Sequence, residues 1–171
     1  MLLTIALLLL ALIAPAGAAP GNDNRAPNLE ACPELKVPAG HKVAFHTYAA
    51  GVQVYRWNGT SWAFVGPEAL LFADADGQGV VGIHYGGPTW ESNGGGKVVG
   101  SVLERYTADA DAIPWLKLAA APDGPGIFHR ITFIQRVNTV GGKAPTAPGT
   151  AKNEEARVPY IAEYFFYRAQ K

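Results

Sequence analysis

His84 and Glu91 bracket a glycine-glycine-proline bend in Ile83-His84-Tyr85-Gly86-Gly87-Pro88-Thr89-Trp90-Glu91, where a histidine, a carboxylate and two large aromatics fall within nine residues. If the bend returns the chain on itself, imidazole meets carboxylate. Such a pair exchanges protons near neutral pH once burial raises the carboxylate pKa. Glu91 would then be the acid or base, and His84 its partner, in a hydrolytic or eliminative reaction. Tyr85 and Trp90 offer rings for stacking. Further along, Gln135, Arg136 and Asn138 could fork onto a carboxylate or a pair of sugar hydroxyls. The structural alternative is a strand-end histidine satisfied by backbone or water, with an arginine tying a loop to a sheet.

Other chemistries find little purchase. No two of the four histidines have a tight ligand spacing, and His41 and His46 lie five apart, hence on opposite faces of a strand. No metal site and no cofactor are expected. Gly94-Gly95-Gly96-Lys97-Val98 lacks the upstream glycine of a phosphate loop and has valine where serine or threonine is required. There is no GxGxxG opening a helix, no GxSxG and no HExxH. The 14 basic and 14 acidic side chains balance, so the chain lacks the positive field on which nucleic-acid binding rests. Cys32 is the only cysteine, so it is either a small buried apolar group, part of a loose segment, or a partner for another molecule.

The elements that must position these residues read as strands. An apolar run over residues 2–13, then Ala14-Pro15-Ala16-Gly17-Ala18-Ala19, has the form of a signal peptide with an A-x-A cleavage pattern. The run is shorter than the roughly 20 residues needed to span a bilayer. This predicts a secreted protein, extracellular or held in a periplasm or cell wall, with no membrane span after cleavage. Residues 1–18 are thus read as the leader, 19–40 as an extended lead-in, and 41–171 as one domain. Short runs broken by Gly, Pro, Asn and Asp place strands at 42–49, 52–57, 60–65, 68–72, 79–85, 98–103, 115–120, 128–137 and 158–167. The expected fold is all-β, a sandwich or flattened barrel of about nine short strands in a monomer. Asn58-Gly59 predicts a two-residue hairpin turn, setting Trp57 against Thr60 and Tyr55 against Trp62. Along 128–137, alternation puts His129, Ile131, Phe133, Gln135 and Val137 on one face, and Arg130, Thr132, Ile134 and Arg136 on the other.

The ordered segments GVQVYR (51–56), HYGGPTWE (84–91), AIPWL (112–116), IQRVNTVGGKAP (134–145) and VPYIAEY (158–164) together resemble a family of secreted bacterial and fungal proteins catalogued as domain of unknown function 3455. The resemblance runs from about Val37 to Arg168. It implies an exported single domain and a cluster of the HYxGPTWE and IQRxNTxGGxAP segments, with no established reaction. Members often carry one cysteine after GVQxYR and another after the GGxAP loop, where this chain has Trp57 and a stretch around Thr150. The resemblance therefore implies that these two places are neighbours. The leading functional expectation is binding of an extracellular small molecule or polysaccharide by Tyr85, Trp90, Gln135, Arg136 and Asn138. A hydrolase or lyase using Glu91 with His84, and a structural envelope protein, are the alternatives.

Overall fold

An alternating run is stable as a strand only when its apolar face is covered, and here the strands cover one another. The computed structural model describes residues 26–170. The expected leader lies outside them. After a 3₁₀ turn (Pro33–Leu35) come β1 (His41–Trp57), β2 (Trp62–Phe72), β3 (Val80–Tyr85), β4 (Thr89–Ser92), β5 (Lys97–Tyr106), β6 (Trp115–Asp123), β7 (Ile131–Gly141) and β8 (Glu155–Ala169). Each strand pairs antiparallel with the next, and β8 returns to β1, so one sheet closes as an up-and-down barrel. Closure leaves no edge strand to template aggregation.

The count is eight rather than about nine because glycine and proline do not interrupt the ladder where the sequence predicts breaks. Gly51 stays paired with Ala69 on one side and Tyr160 on the other. Its missing side chain is what lets β2 press in, since a Cβ there would lie 2.1 Å from the Glu68 carbonyl oxygen. Likewise β2 runs through Gly66 and Pro67 opposite an irregularity at Val54/Tyr55. In the other direction, β4 is a short strand that the Gly86-Gly87-Pro88 bend hides in the sequence.

The hairpin after β1 also differs from expectation. Trp57 pairs with Trp62 and Tyr55 with Phe64, because Asn58 Oδ1 accepts from the Thr60 and Ser61 amides at 2.8 and 2.9 Å and widens the loop. Only Gly59 of the Asn-Gly pair has a positive φ, 103°. The two-residue slip keeps the aromatics on one side of the ribbon, with ring centroids 5.5 Å apart for Tyr55/Phe64 and 5.4 Å for Trp57/Trp62.

Inside the barrel, Phe45, Phe128 and Phe166 fill one end, with Phe45 stacked on Phe166 at 4.6 Å. A second apolar cluster lies outside the barrel wall. There Leu29, Cys32 and Leu35 of the N-terminal segment cover Val137, Phe165 and Tyr167. The stretch expected as a lead-in is thus packed from at least Leu29 onward. In β7, Phe133, Gln135 and Val137 face this cover while Ile134 and Arg136 face the interior. Ile131 joins the interior rather than the Phe133 face, because a register shift between Ile131 and Phe133 changes the phase.

Candidate functional site

The end of the barrel opposite the phenylalanine plug carries the bends that join β1 to β2, β3 to β4 and β7 to β8. Both glycine-rich segments come together there. Gly141 and Gly142 have φ of 68° and 81°, a conformation that suits glycine. At Gly142 a Cβ would meet Tyr160, Gln53 and Ile113 side chains at 2.9 to 3.1 Å, so the loop seats directly against the barrel interior. Its carbonyl accepts the Tyr55 hydroxyl at 2.7 Å. The following loop closes over the β1–β2 hairpin: Trp62 Nε1 donates to the Ala147 carbonyl at 2.9 Å, and Gly149 is so close to the Trp57 ring that a Cβ would fall 2.5 Å from it. Trp57 and the Thr150 region are therefore adjacent.

Beneath these loops lies a hollow of ≈ 440 Å³. Trp90, Val102, Ile113, Leu116 and Leu118 make its wall apolar, and Phe64, exposed at the rim, leans toward Tyr55. Its polar lining is Gln53, Tyr55, His84, Tyr164, Arg105 and Arg136. Among the described residues, no carboxylate lines it. The Arg136 guanidinium donates through Nε and Nη2 to the Pro114 carbonyl, at 3.1 and 2.8 Å. It also lies near enough to Tyr164 to oppose the rise in that phenol's pKa, a rise caused by burial. Yet the Tyr164 hydroxyl, the Tyr160 hydroxyl, Gln53 Nε2 and Trp90 Nε1 are all buried with no well-formed hydrogen bond.

His84 faces the hollow through a stacked pair. Its ring lies 4.2 Å from Trp90 at 11°, and Tyr164 meets both rings edge-on. Gly100 makes this possible, because a Cβ there would lie 2.9 Å from the indole. The Nδ1–H donates to the Thr89 carbonyl at 2.8 Å, which leaves the lone pair on Nε2. Burial, with a smaller push from Arg136, drives the imidazole pKa down to about 3. His84 is a neutral acceptor at physiological pH.

Residues 38–168 match the family described as Protein of unknown function (DUF3455). The chain belongs to this family. The match takes in nearly the whole DUF3455 barrel and every residue named around the hollow, while the 3₁₀ turn precedes it. Comparison with curated proteins and with solved structures found no match.

In this DUF3455 protein the residues singled out in the sequence divide between two faces. His84, Trp90 and Arg136 line the hollow. Glu91 does not join His84: His84 pairs with Trp90 across the hairpin, so Glu91, one position on, leaves the opposite face. There its carboxylate accepts the Tyr85 hydroxyl at 2.9 Å and meets Lys97 Nζ at 3.3 Å. The Tyr85 hydrogen bond, then Lys97, holds its pKa below the usual carboxylate range. Tyr85 is accordingly outside as well. Gln135 is fully buried beneath the N-terminal segment, donating to the Leu35 carbonyl at 2.6 Å and accepting the Tyr167 hydroxyl at 2.5 Å. Asn138 sits in the irregularity of β7 with φ 51° and bonds Glu163 on the exterior. Trp90 is enclosed by His84, Tyr164 and Phe166, so it serves as a wall rather than an open stacking platform.

The sequence marks Tyr55 only as one of the aromatics of its hairpin and does not single out Gln53, Tyr160 or Tyr164 as site residues. A signal was present: Tyr160 and Tyr164 share one face of β8, and Gln53 interrupts an otherwise apolar stretch of β1. Among the described residues, no group of three or more His, Cys, Asp or Glu side chains is placed to hold a metal ion, and no helix is long and apolar enough to cross a membrane.

Proposed function

We propose that this protein binds a small, largely apolar molecule inside its barrel, and that it does so outside the cytoplasm, as its leader-like N-terminus predicts. The observation that carries this reading is the ≈ 440 Å³ hollow, apolar on its walls, whose lining includes the buried Gln53, Trp90 and Tyr164, each with a polar atom that makes no well-formed hydrogen bond. A pre-formed apolar pocket with a few convergent polar groups is the usual form of a small-molecule site. The unmade hydrogen bonds cost stability of the order of 1–3 kcal/mol each, a cost that a ligand or enclosed water would relieve. A hollow of this size, open at one end of the barrel past Phe64 and Arg105, suits a compact ligand better than an extended polysaccharide strand. The acid–base reading of His84 with Glu91 gains no support, because the two side chains leave opposite faces of their hairpin.

The test is a fragment screen by ligand-observed NMR on the wild type and on Val102→Phe, which fills the hollow from a partly buried wall position. Wild-type hits should compete for one site and be lost or at least about tenfold weaker in the variant. Hits that bind the variant equally well would place binding elsewhere and overturn the reading.

A further inference from the structure

The hollow is unusual in its charge. Two of its lining residues, Arg105 and Arg136, are cationic, and none is acidic. Three cationic side chains on the outer surface do meet a carboxylate, Arg56 with Glu155, Lys97 with Glu91 and Arg157 with Glu68. Neither Arg105 nor Arg136 is in an ion pair among the described residues. In a chain of 14 basic and 14 acidic side chains, a cavity whose charged lining is cationic alone is a local decision of the fold rather than a reflection of net charge. A half-buried guanidinium without a counter-ion is costly, and the cost falls when an anion arrives with its own hydrogen-bond acceptors.

Resting on the cavity-binding reading, we infer that the ligand is a small organic acid, held by its carboxylate on Arg136 and Tyr164 with its apolar body against Trp90, Leu116 and Leu118. Arg136 spends Nε and Nη2 on the Pro114 carbonyl, which fixes the plane of the guanidinium and leaves its remaining edge for an acceptor. The buried Tyr164 hydroxyl lies close to Arg136 and to the Tyr160 hydroxyl without a well-formed hydrogen bond to either, so it can turn its proton to an incoming acceptor. Neutral His84, with its lone pair on Nε2, adds an acceptor for a hydroxyl or amide on the same molecule. Arg105, exposed at the rim, attracts the anion to the mouth.

The experiment is isothermal titration of the full mature chain with matched acid and amide pairs: benzoate and benzamide, 2-naphthoate and 2-naphthamide, decanoate and decanamide. At least one acid should bind about tenfold or more tightly than its amide, since a charge-assisted hydrogen bond discriminates by that order. Arg136→Gln should abolish the preference. Because Arg136 also holds Pro114, Arg105→Gln is the second variant; its rim position spares the fold, and it should weaken acid binding and lessen its salt dependence. Amides that bind as tightly as their acids would overturn the organic-acid assignment while leaving cavity binding standing. If none of the six binds, both readings fall.

Discussion

At His84 the protein has sealed an ionisable ring among Trp90, Tyr164 and the Thr89 carbonyl, so protonating it would create a charge beside Arg136 in the barrel interior. The unfolded chain takes up that proton near the ordinary histidine value of 6.5, whereas the native protein resists it down to about 3. Between those values the unfolded state binds more protons, so stability should fall as pH drops, by about 1.4 kcal/mol per pH unit from this group. His84→Gln retains a donor for Thr89 and removes the titration. In urea unfolding between pH 6 and pH 4, the wild-type free energy should decline more steeply than the variant's by about that amount; parallel declines would show an ordinary His84. The residue types in HYGGPTWE were legible as a focus, but not which of them would meet. Their facing depends on the bend length and on the pairing of His84 with Trp90.

The N-terminal segment is the element whose role is least visible in its sequence, because residues 21–40 show no periodicity. What docks it is a set of particular contacts: Leu29, Cys32 and Leu35 against Val137, Phe165 and Tyr167, and the Leu35 carbonyl on Gln135. Gln135→Ala should therefore leave two buried polar groups unpaired and lower stability by about 2–4 kcal/mol in denaturant unfolding. The same variant should expose Cys32. Burial, with help from Glu34, raises that thiol's pKa, so a thiol reagent should modify it slowly in the native wild type and faster in the variant. Equal rates would mean that the segment opens independently of Gln135.

Closure of the whole molecule joins its first strand to its last, with β1 and β8 paired from His41↔Ala169 to Arg56↔Glu155. No barrel exists until nearly the entire chain has been gathered, and such non-local pairing slows folding. Refolding followed by stopped-flow tryptophan fluorescence should fall in the range of about milliseconds to seconds, and a microsecond relaxation would contradict a transition state that needs this closure. The hollow belongs to the same scale. Gln53 from β1, His84 from β3, Trp90 from β4, Leu118 from β6, Arg136 from β7 and Tyr164 from β8 meet only because the ring is shut.

What the sequence determined by itself is what local chemistry controls. Period-two alternation and the spacing of Gly, Pro, Asn and Asp made the chain a run of antiparallel strands, and the ordered motifs marked the family. Tertiary structure alone decided that the sheet closes, that Asn58 widens its turn, that irregularities in β7 move Ile131 inward and Asn138 outward, and that Glu91 and His84 part company. The physical reason is that a strand has two faces. Which one becomes interior is set by partners far away in the chain and by single-residue shifts in register, neither of which leaves a local trace.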